Sequence, residues 1–210
     1  MAPTEQTLDA ESMSRAVKKL ARIDPVLRTV LKTYGPPPLW KRPATFATFV
    51  RIILEQQVSL ASAKSTFDKL RQSCGGSVTA LRVQQVGDDG LREIGFSRQK
   101  ARYTIRLADD VRCRRFQIGS LHQKSNDEAR DLITARLGLG NWSADVFLMM
   151  ALMRPDVFPV GDLALIKGMA SLDGGDYTSP EKAIARGESW RPFRSVATRM
   201  VWHWYLKGTR

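Results

Sequence analysis

Apolar side chains recur at intervals of three and four residues along most of the chain, which is the spacing of an amphipathic helix. The stretch that follows Pro43 is a clear case, since Phe46, Val50, Ile53 and Leu54 fall on one face of a predicted helix. Alternation of apolar and polar residues, which would indicate strands, is scarce. The sequence therefore predicts an all-α protein. Its 210 residues, 43% of them hydrophobic, can form one substantial core or two small lobes.

Two segments rich in proline and glycine interrupt the helical pattern, at residues 35–43 and 153–161. Because proline ends helices and such segments link compact regions, we expect the chain to cross between lobes at these points. The prediction is one helical domain over residues 1–210, with two lobes and the functional site in the cleft between them. One lobe would consist of residues 1–42 and 155–210, and the other of residues 43–154.

The chain carries a formal net charge of +12 and has a sequence pI of about 10.2. A chain this basic usually binds a polyanion, most often nucleic acid, although a basic surface can also serve solubility alone. The N-terminal residues lack the apolar core of a signal peptide, and no apolar run approaches the roughly 20 residues that cross a bilayer. We expect a soluble intracellular protein with no membrane partner.

Cysteines and histidines are few and scattered. Cys74 and Cys113 form no CxxC pair, and His122 and His203 lack the spacing of metal ligands. Zinc ribbons, iron–sulfur clusters and disulfide scaffolds all need closely spaced ligands or pairs, so the sequence argues against them. Two isolated thiols fit a reducing compartment.

A Gly-Leu-Gly turn at 138–140 joins two predicted helices within a hairpin over residues 132–150. Glycine allows a sharp turn and close approach of another molecule. The second helix starts at once, so its free amides could bind a phosphate oxygen and position DNA without reading its sequence. The candidate contacts are Gly138, Gly140, Asn141 and Ser143. An ordinary glycine-rich helix connection is the alternative.

The two helices of this hairpin should bury apolar residues on either side of the turn. Before the turn these are Leu132, Ile133 and Leu137, on a helix expected to reach Leu137. After the turn they are Ala144, Phe147 and Leu148. We expect all six to face the core.

Twenty-two residues beyond Gly140, Asp162 follows Pro159 and Gly161 and opens a short predicted helix. A carboxylate at this position could simply cap the helix, because aspartate is among the best N-cap residues. It could also project from the loop to act on a ligand. The two roles are compatible.

The order of hairpin, proline–glycine loop and aspartate resembles the helix-hairpin-helix DNA glycosylase superfamily, and within it the 3-methyladenine DNA glycosylase II family. Together the matching stretches are specific, whereas singly only the hairpin with the aspartate is. The likeness runs from about residue 40 to 206. The stretches are Ile53–Ser59, Gly95–Ala101, Leu137–Ala144, Asp156–Asp162 and Trp190–Ser195 leading to Trp202.

The resemblance implies a base-excision repair enzyme that binds double-stranded DNA, extrudes an alkylated base and hydrolyses its N-glycosidic bond. The 3-methyladenine and 7-methylguanine class would be the substrates and an abasic site the product. Cleavage builds positive charge on the deoxyribose, which the Asp162 carboxylate would stabilise while orienting water. A methylated purine that already carries charge is a good leaving group, so a single carboxylate suffices.

The resemblance also implies a base pocket lined by Trp142 and Trp202, whose electron-rich faces attract a cationic ring. Val146 and Leu163 match further pocket positions that are often aromatic in relatives. For Trp202, core packing is the alternative. Gln57 matches the residue that fills the gap left by the extruded base; it could instead bond the orphaned partner base, or be a polar residue at a helix end.

Relatives that also cut the DNA strand place a Schiff-base lysine where this chain has Trp142. Lys167 lies elsewhere, so we expect a monofunctional enzyme. Relatives bind a monovalent cation through hairpin carbonyls, here those of Thr134, Arg136 and Leu139. Apart from this Na⁺ or K⁺, no cofactor is required, and no iron–sulfur cluster is expected.

Two basic segments could follow DNA phosphates or merely be solvated surface. Asp156 is expected to be a solvent-exposed turn residue. The candidate phosphate contacts are Arg98, Lys100, Arg102 and Arg106 in one segment, and Arg191, Arg194 and Arg199 in the other.

Longer bacterial members carry a β domain before the helical core, and the roughly 40 residues that precede the match here are too few for it. We therefore expect a compact, monomeric form, cytoplasmic in a bacterium or nuclear in a eukaryote. Two alternatives remain within the fold: action on another damaged or mismatched base, and a non-catalytic DNA-binding module. A structural all-α scaffold is a third, disfavoured by the basic charge.

Overall fold

The all-α prediction is confirmed in the computed structural model, which describes residues 7–208. Residues 1–6 and 209–210 of the predicted domain lie outside the described residues. Within the described part every regular element is helical. The α-helices are α1 (Ala10–Ile23), α2 (Pro25–Tyr34), α3 (Phe46–Glu55), α4 (Leu60–Ser73), α5 (Ala80–Glu93), α6 (Arg98–Arg112), α7 (Asn126–Thr134), α8 (Asn141–Met150), α9 (Leu163–Asp173), α10 (Pro180–Glu188) and α11 (Arg194–Gly208), with a 3₁₀ helix at Ile118–Gln123 between α6 and α7.

Serine side chains cap the starts of α4, α6 and α7. At α7 the serine is followed three residues later by a glutamate, the sequence signature of a capping box, and the box forms: Glu128 N–H donates to Ser125 Oγ at 3.2 Å, and Ser125 N–H donates to Glu128 Oε2 at 2.8 Å. Ser59 and Ser97 cap α4 and α6, each accepting a backbone N–H at 3.2 Å. These bonds satisfy amides that a helix start leaves without partners.

The residues group into two compact units. The first unit comprises Met1–Lys41 and Leu148–Arg210, as far as the structure describes them, and the second is Arg42–Phe147. The first crossing lies in the proline-rich stretch after α2, and the second lies inside α8.

The first unit is built on α1, α2, α9, α10 and α11, whose inner faces include Leu20, Leu27 and Met200. Asp24, which separates α1 from α2, is buried there, and its Oδ2 accepts hydrogen bonds from Trp190 Nε1 at 2.7 Å and Arg186 Nη2 at 2.6 Å. Burial raises the pKa of Asp24, but these bonds outweigh burial and hold the pKa below its usual range. The network joins α2 to the C-terminal helices.

The second unit has a core in which Phe49 of α3 stacks on Phe147 of α8, with ring centroids 3.9 Å apart and planes within 9°. Phe116 meets Phe49 edge-on at 5.4 Å. The predicted inner face of α3 is confirmed, since Phe46, Val50, Ile53 and Leu54 are all buried. This stacking fixes α8, and with it the end of the hairpin, against α3.

No helix in residues 7–208 combines the length and the apolar character that a membrane span needs.

Candidate functional site

Asp162 lies at the head of α9, and its side chain caps that helix. Its Oδ1 accepts the backbone N–H of Leu165 at 2.7 Å, and Trp202 Nε1 donates to the same oxygen at 2.8 Å. The residue is 8% exposed. The capping role is therefore real, and it does not compete with chemistry, because two donors on one oxygen fix the plane of the carboxylate.

The loop that leads to Asp162 is anchored to the start of α11. Ser195 Oγ accepts the N–H of Val157 at 3.0 Å and donates to the Val157 carbonyl at 3.1 Å. Ser195 N–H donates to the Pro155 carbonyl at 3.0 Å. Because α11 also carries Trp202, the loop, the carboxylate and the indole share one framework in the first unit.

Asp156, expected to be a solvent-exposed turn residue, is instead paired. Its side chain is 20% exposed and accepts from Arg194 Nε and Arg191 Nη1, each at 2.8 Å. That expectation is wrong because arginines from after α10, distant in sequence, fold onto the loop. Asp156 therefore helps to anchor the loop, and Arg191 and Arg194 are engaged by it.

Arg199, expected to follow phosphates, is fully buried. Its guanidinium donates to the carbonyls of Met149, Ser195 and Leu39 at 2.6, 2.9 and 3.2 Å. Burial lowers its pKa to about 10. The phosphate role predicted for Arg199 is wrong, and the residue instead joins three backbone segments of the first unit.

An aromatic neighbour of Trp202 escaped the sequence reasoning. Trp40 lies 6.4 Å from Trp202, with ring planes 58° apart, and 6.3 Å from His203. Its φ of +47° is rare for a bulky residue. The preceding prolines gave the only signal, since an aromatic residue in a non-helical linker has no periodicity to reveal its partners. Trp202 and Trp40 are both half-buried, and Leu163 is 65% exposed.

The other predicted pocket residues belong to the second unit. Trp142 is half-buried and Val146 is 3% exposed, and they lie one turn apart on α8. Their role in base binding stays a prediction.

The hairpin that joins α7 to α8 depends on Gly138. Its φ is +82°, and a Cβ there would lie 2.1 Å from the ring of Tyr103. Gly140 differs: its φ is not in the left-handed region, and among residues 7–208 a Cβ would meet nothing within 4 Å. The fold explains glycine at position 138 but not at position 140.

The anchor residues of the hairpin differ in part from those predicted. Ile133 is fully buried, as are Ala144, Phe147 and Leu148, but Leu132 and Leu137 are 39% and 43% exposed. The helix ends at Thr134, so the helical spacing does not carry on to Leu137. Leu139, 2% exposed, takes the place of Leu137 in the core.

The predicted DNA contacts lie in this hairpin and in the turn between α3 and α4. Asn141 is exposed, whereas Ser143 is buried and its Oγ accepts from Gln56 Nε2 at 3.1 Å. Gln57 is exposed and has a φ of +55°. Their contact with DNA stays a prediction.

The carbonyls predicted to bind a monovalent cation lie at the end of α7 and in the turn that follows it. The Arg136 carbonyl accepts the N–H of Leu139 at 3.1 Å. Thr134 is the last residue of α7. The three carbonyls therefore lie in one short turn, and their role as ligands stays a prediction. No cluster of acidic, histidine or cysteine ligands occurs within residues 7–208.

Comparison with known proteins identifies the family. Residues 50–192 match the family described as HhH-GPD superfamily base excision DNA repair protein. This covers more than half of the chain, and the chain therefore belongs to the HhH-GPD superfamily.

Individual relatives agree with this assignment. The alkylbase DNA glycosidase-like protein mag2 of Schizosaccharomyces pombe is 24% identical over 90% of this chain and 92% of its own. The crystal structure of a DNA-3-methyladenine glycosidase from Bacillus halodurans has a TM-score of 0.75 at 27% identity, and the match covers 97% of this chain and 93% of that one. The chain spans 64% and 65% of the lengths of two Bacillus subtilis relatives, the protein YfjP and a DNA-3-methyladenine glycosylase, at 25% and 24% identity.

Proposed function

We propose that this protein excises alkylated bases from double-stranded DNA by hydrolysing the N-glycosidic bond, as the names of its relatives suggest for them. The observation that carries the proposal is the Asp162 carboxylate, which Leu165 N–H and Trp202 Nε1 hold through one oxygen on a loop anchored to α11. A carboxylate held in this way is ready for charge that develops elsewhere, because no reorganisation is needed at the moment of reaction.

The chemistry follows from the charge that bond cleavage creates. As the base departs, the deoxyribose acquires positive charge, and a carboxylate beside it stabilises that charge and orients the attacking water. The base must first leave the stack to be reached. Alkylation of a purine ring nitrogen gives the base positive charge before cleavage, so departure needs no strong general acid.

The aromatic side chains fit such a leaving group. The half-buried Trp202 and Trp142 present indole surfaces, and an indole face attracts a cationic ring more strongly than a neutral one. Leu163 is exposed in the first unit and Val146 is buried in the second, and in this proposal both are aliphatic at positions that are often aromatic in relatives. We infer a preference for the 3-methyladenine and 7-methylguanine class.

The hairpin would bind the DNA backbone. The amides at the start of α8 carry partial positive charge, and the bare Cα of Gly140 allows a phosphate to approach them. The net charge of +12 supplies long-range attraction. In the same proposal the protein acts as a monomer on the genome, in the cytoplasm or nucleus, and the carbonyls of Thr134, Arg136 and Leu139 hold Na⁺ or K⁺ when bound to DNA.

The product should be an abasic site in an intact strand. A lyase activity would need an amine at the reacting carbon, and the hairpin position that holds lysine in bifunctional relatives is Trp142 here.

The test is to incubate the protein with methylated duplex DNA and to quantify free bases and strand breaks. We expect release of 3-methyladenine and 7-methylguanine, with breaks only after alkali treatment. Duplex binding without any base release would support a non-catalytic module instead. Strand cleavage without alkali would contradict the monofunctional assignment.

A further inference from the structure

Lys100, on the second unit, is used as a brace between backbone segments. Its Nζ donates to the carbonyls of Leu54 and Gln56, each at 2.8 Å. These carbonyls lie at the C-terminal end of α3, where helical carbonyls lack partners and a cation is favourable. Burial lowers the pKa of Lys100. The ammonium therefore faces the chain, not phosphates.

Gln56 extends this brace to the hairpin. Its Nε2 donates to the Gly138 carbonyl at 2.8 Å and to Ser143 Oγ at 3.1 Å. These two acceptors lie on opposite sides of Gly140, one in the turn and the other in the first turn of α8. One residue thus has its backbone held by Lys100 and its side chain bonded to both ends of the candidate phosphate site.

The next residue in the chain is Gln57, which is exposed and left-handed at a φ of +55°. That conformation is unfavourable for a non-glycine residue and persists only where the surroundings impose it. The surroundings here are the bonds of Gln56 and Lys100 on one side and the Ser59 cap of α4 on the other. The direction in which Gln57 projects is therefore set by these contacts.

We propose that Gln56 and Lys100 are positioning residues that hold the Gln57 turn in fixed register with the phosphate-binding hairpin. The inference rests on the proposed function, because it needs a duplex from which a base is extruded. The hairpin holds the strand, and the braced turn directs Gln57 into the stack at a set distance along that strand. Loss of the brace leaves phosphate binding intact and weakens insertion.

The first experiment measures insertion without chemistry. The probe is a duplex with a tetrahydrofuran abasic-site analogue and 2-aminopurine as its neighbour, whose emission changes when stacking around the gap changes. Wild-type protein at saturation should change the emission. Lys100→Met and Gln56→Leu should each reduce this change about fivefold or more while the Kd rises less than about threefold, since phosphate contacts provide most of the affinity.

Two matched variants separate positioning from charge and folding. Lys100→Arg keeps donors for both carbonyls and should restore most of the emission change. Lys69→Met makes the same substitution at an exposed lysine of α4 and should keep the full change. Melting temperatures identify any variant that is simply unfolded at the assay temperature. If Lys100→Met is unfolded there, Gln56→Leu, which removes the amide donor and changes no charge, carries the test.

The second experiment compares single-turnover base release from methylated duplex and from the same sequence as a single strand. The brace variants should slow release about tenfold on the duplex and hardly at all on the single strand, where no base pair has to open. Equal losses on both substrates would assign a merely structural role to these residues and overturn the inference. Brace variants with the emission change and the duplex rate of wild type would also overturn it. A wild-type protein that changes the emission but releases no base would refute the proposed function and leave the positioning pair standing.

Discussion

The Asp162 loop and the hairpin differ in how far the fold alone accounts for their residues. At the loop three side chains have internal roles: Asp162 caps α9, Trp202 donates a hydrogen bond to Asp162, and Ser195 bonds the backbone of the loop at Val157. At the hairpin, Gly138 is required by its own backbone, but nothing within residues 7–208 requires glycine at 140. A glycine that the fold does not require is stronger evidence for an external binding partner than a glycine that the fold requires.

The two hairpin glycines test that difference directly, and Gly138→Ala should have the larger effect. The left-handed φ should cost about 1–2 kcal/mol, and the new Cβ would displace the Tyr103 ring. We expect a lower melting temperature together with weaker binding to undamaged duplex, measured by thermal unfolding and fluorescence anisotropy. Unchanged stability would show that the turn tolerates side chains there.

Gly140→Ala should separate binding from folding. Stability should stay within about 1 kcal/mol, because the φ of Gly140 is not left-handed, a Cβ would meet nothing within 4 Å among residues 7–208, and alanine lowers the entropy of the unfolded chain. DNA affinity should fall about tenfold, equal to about 1.4 kcal/mol, since the methyl group would keep a phosphate from the α8 amides. If the affinity matched wild type, the hairpin would lose its main support as the phosphate site.

At the loop, Trp202→Phe removes the donor to Asp162 and keeps an aromatic face. A hydrogen bond to a charged group is worth about 1.5 kcal/mol, so base release should slow about tenfold with unchanged DNA affinity. Trp204→Phe, a half-buried tryptophan of the same helix, is the matched control and should release bases at the wild-type rate. Equal rates in the two variants would mean that the indole N–H does not orient the carboxylate.

The smallest effect on DNA chemistry is expected at Asp24, a buried carboxylate of the first unit whose partners are internal. Its folded pKa lies below the usual 3.8, so its contribution to stability is present above that pH and is lost as the pH falls through the folded pKa. Asp24→Asn should lower stability at neutral pH by about 2 kcal/mol and flatten the loss below pH 3.8. Base release at room temperature should be unchanged. A large loss would show that the Asp24 network affects base release as well as stability.

The sequence predicts those features that depend on near neighbours. The caps at Ser59, Ser97 and Ser125 and the inner face of α3 each need only residues within a turn or two. The sharp turn at Gly138 can also be predicted from the sequence, since glycine is the residue that a left-handed turn favours.

The features that sequence reasoning missed depend on partners far along the chain. Arg199 bonds Leu39 and Met149, and Gln56 bonds the hairpin more than 80 residues away. Arginine within a helix and glutamine at a helix end normally indicate a solvated surface, and only tertiary packing shows otherwise. Trp40 lies in a linker whose irregular backbone has no period to place its side chain.

The central claim is that Asp162 acts on the glycosidic bond while the hairpin binds the strand, and Asp162→Asn tests it. Asparagine is as good an N-cap as aspartate and can still accept from Trp202 and Leu165, so folding should be preserved. On methylated duplex at saturating enzyme, the single-turnover rate of base release should fall about 100- to 1,000-fold while the Kd stays within about threefold. Release at the wild-type rate by the folded variant would contradict the account.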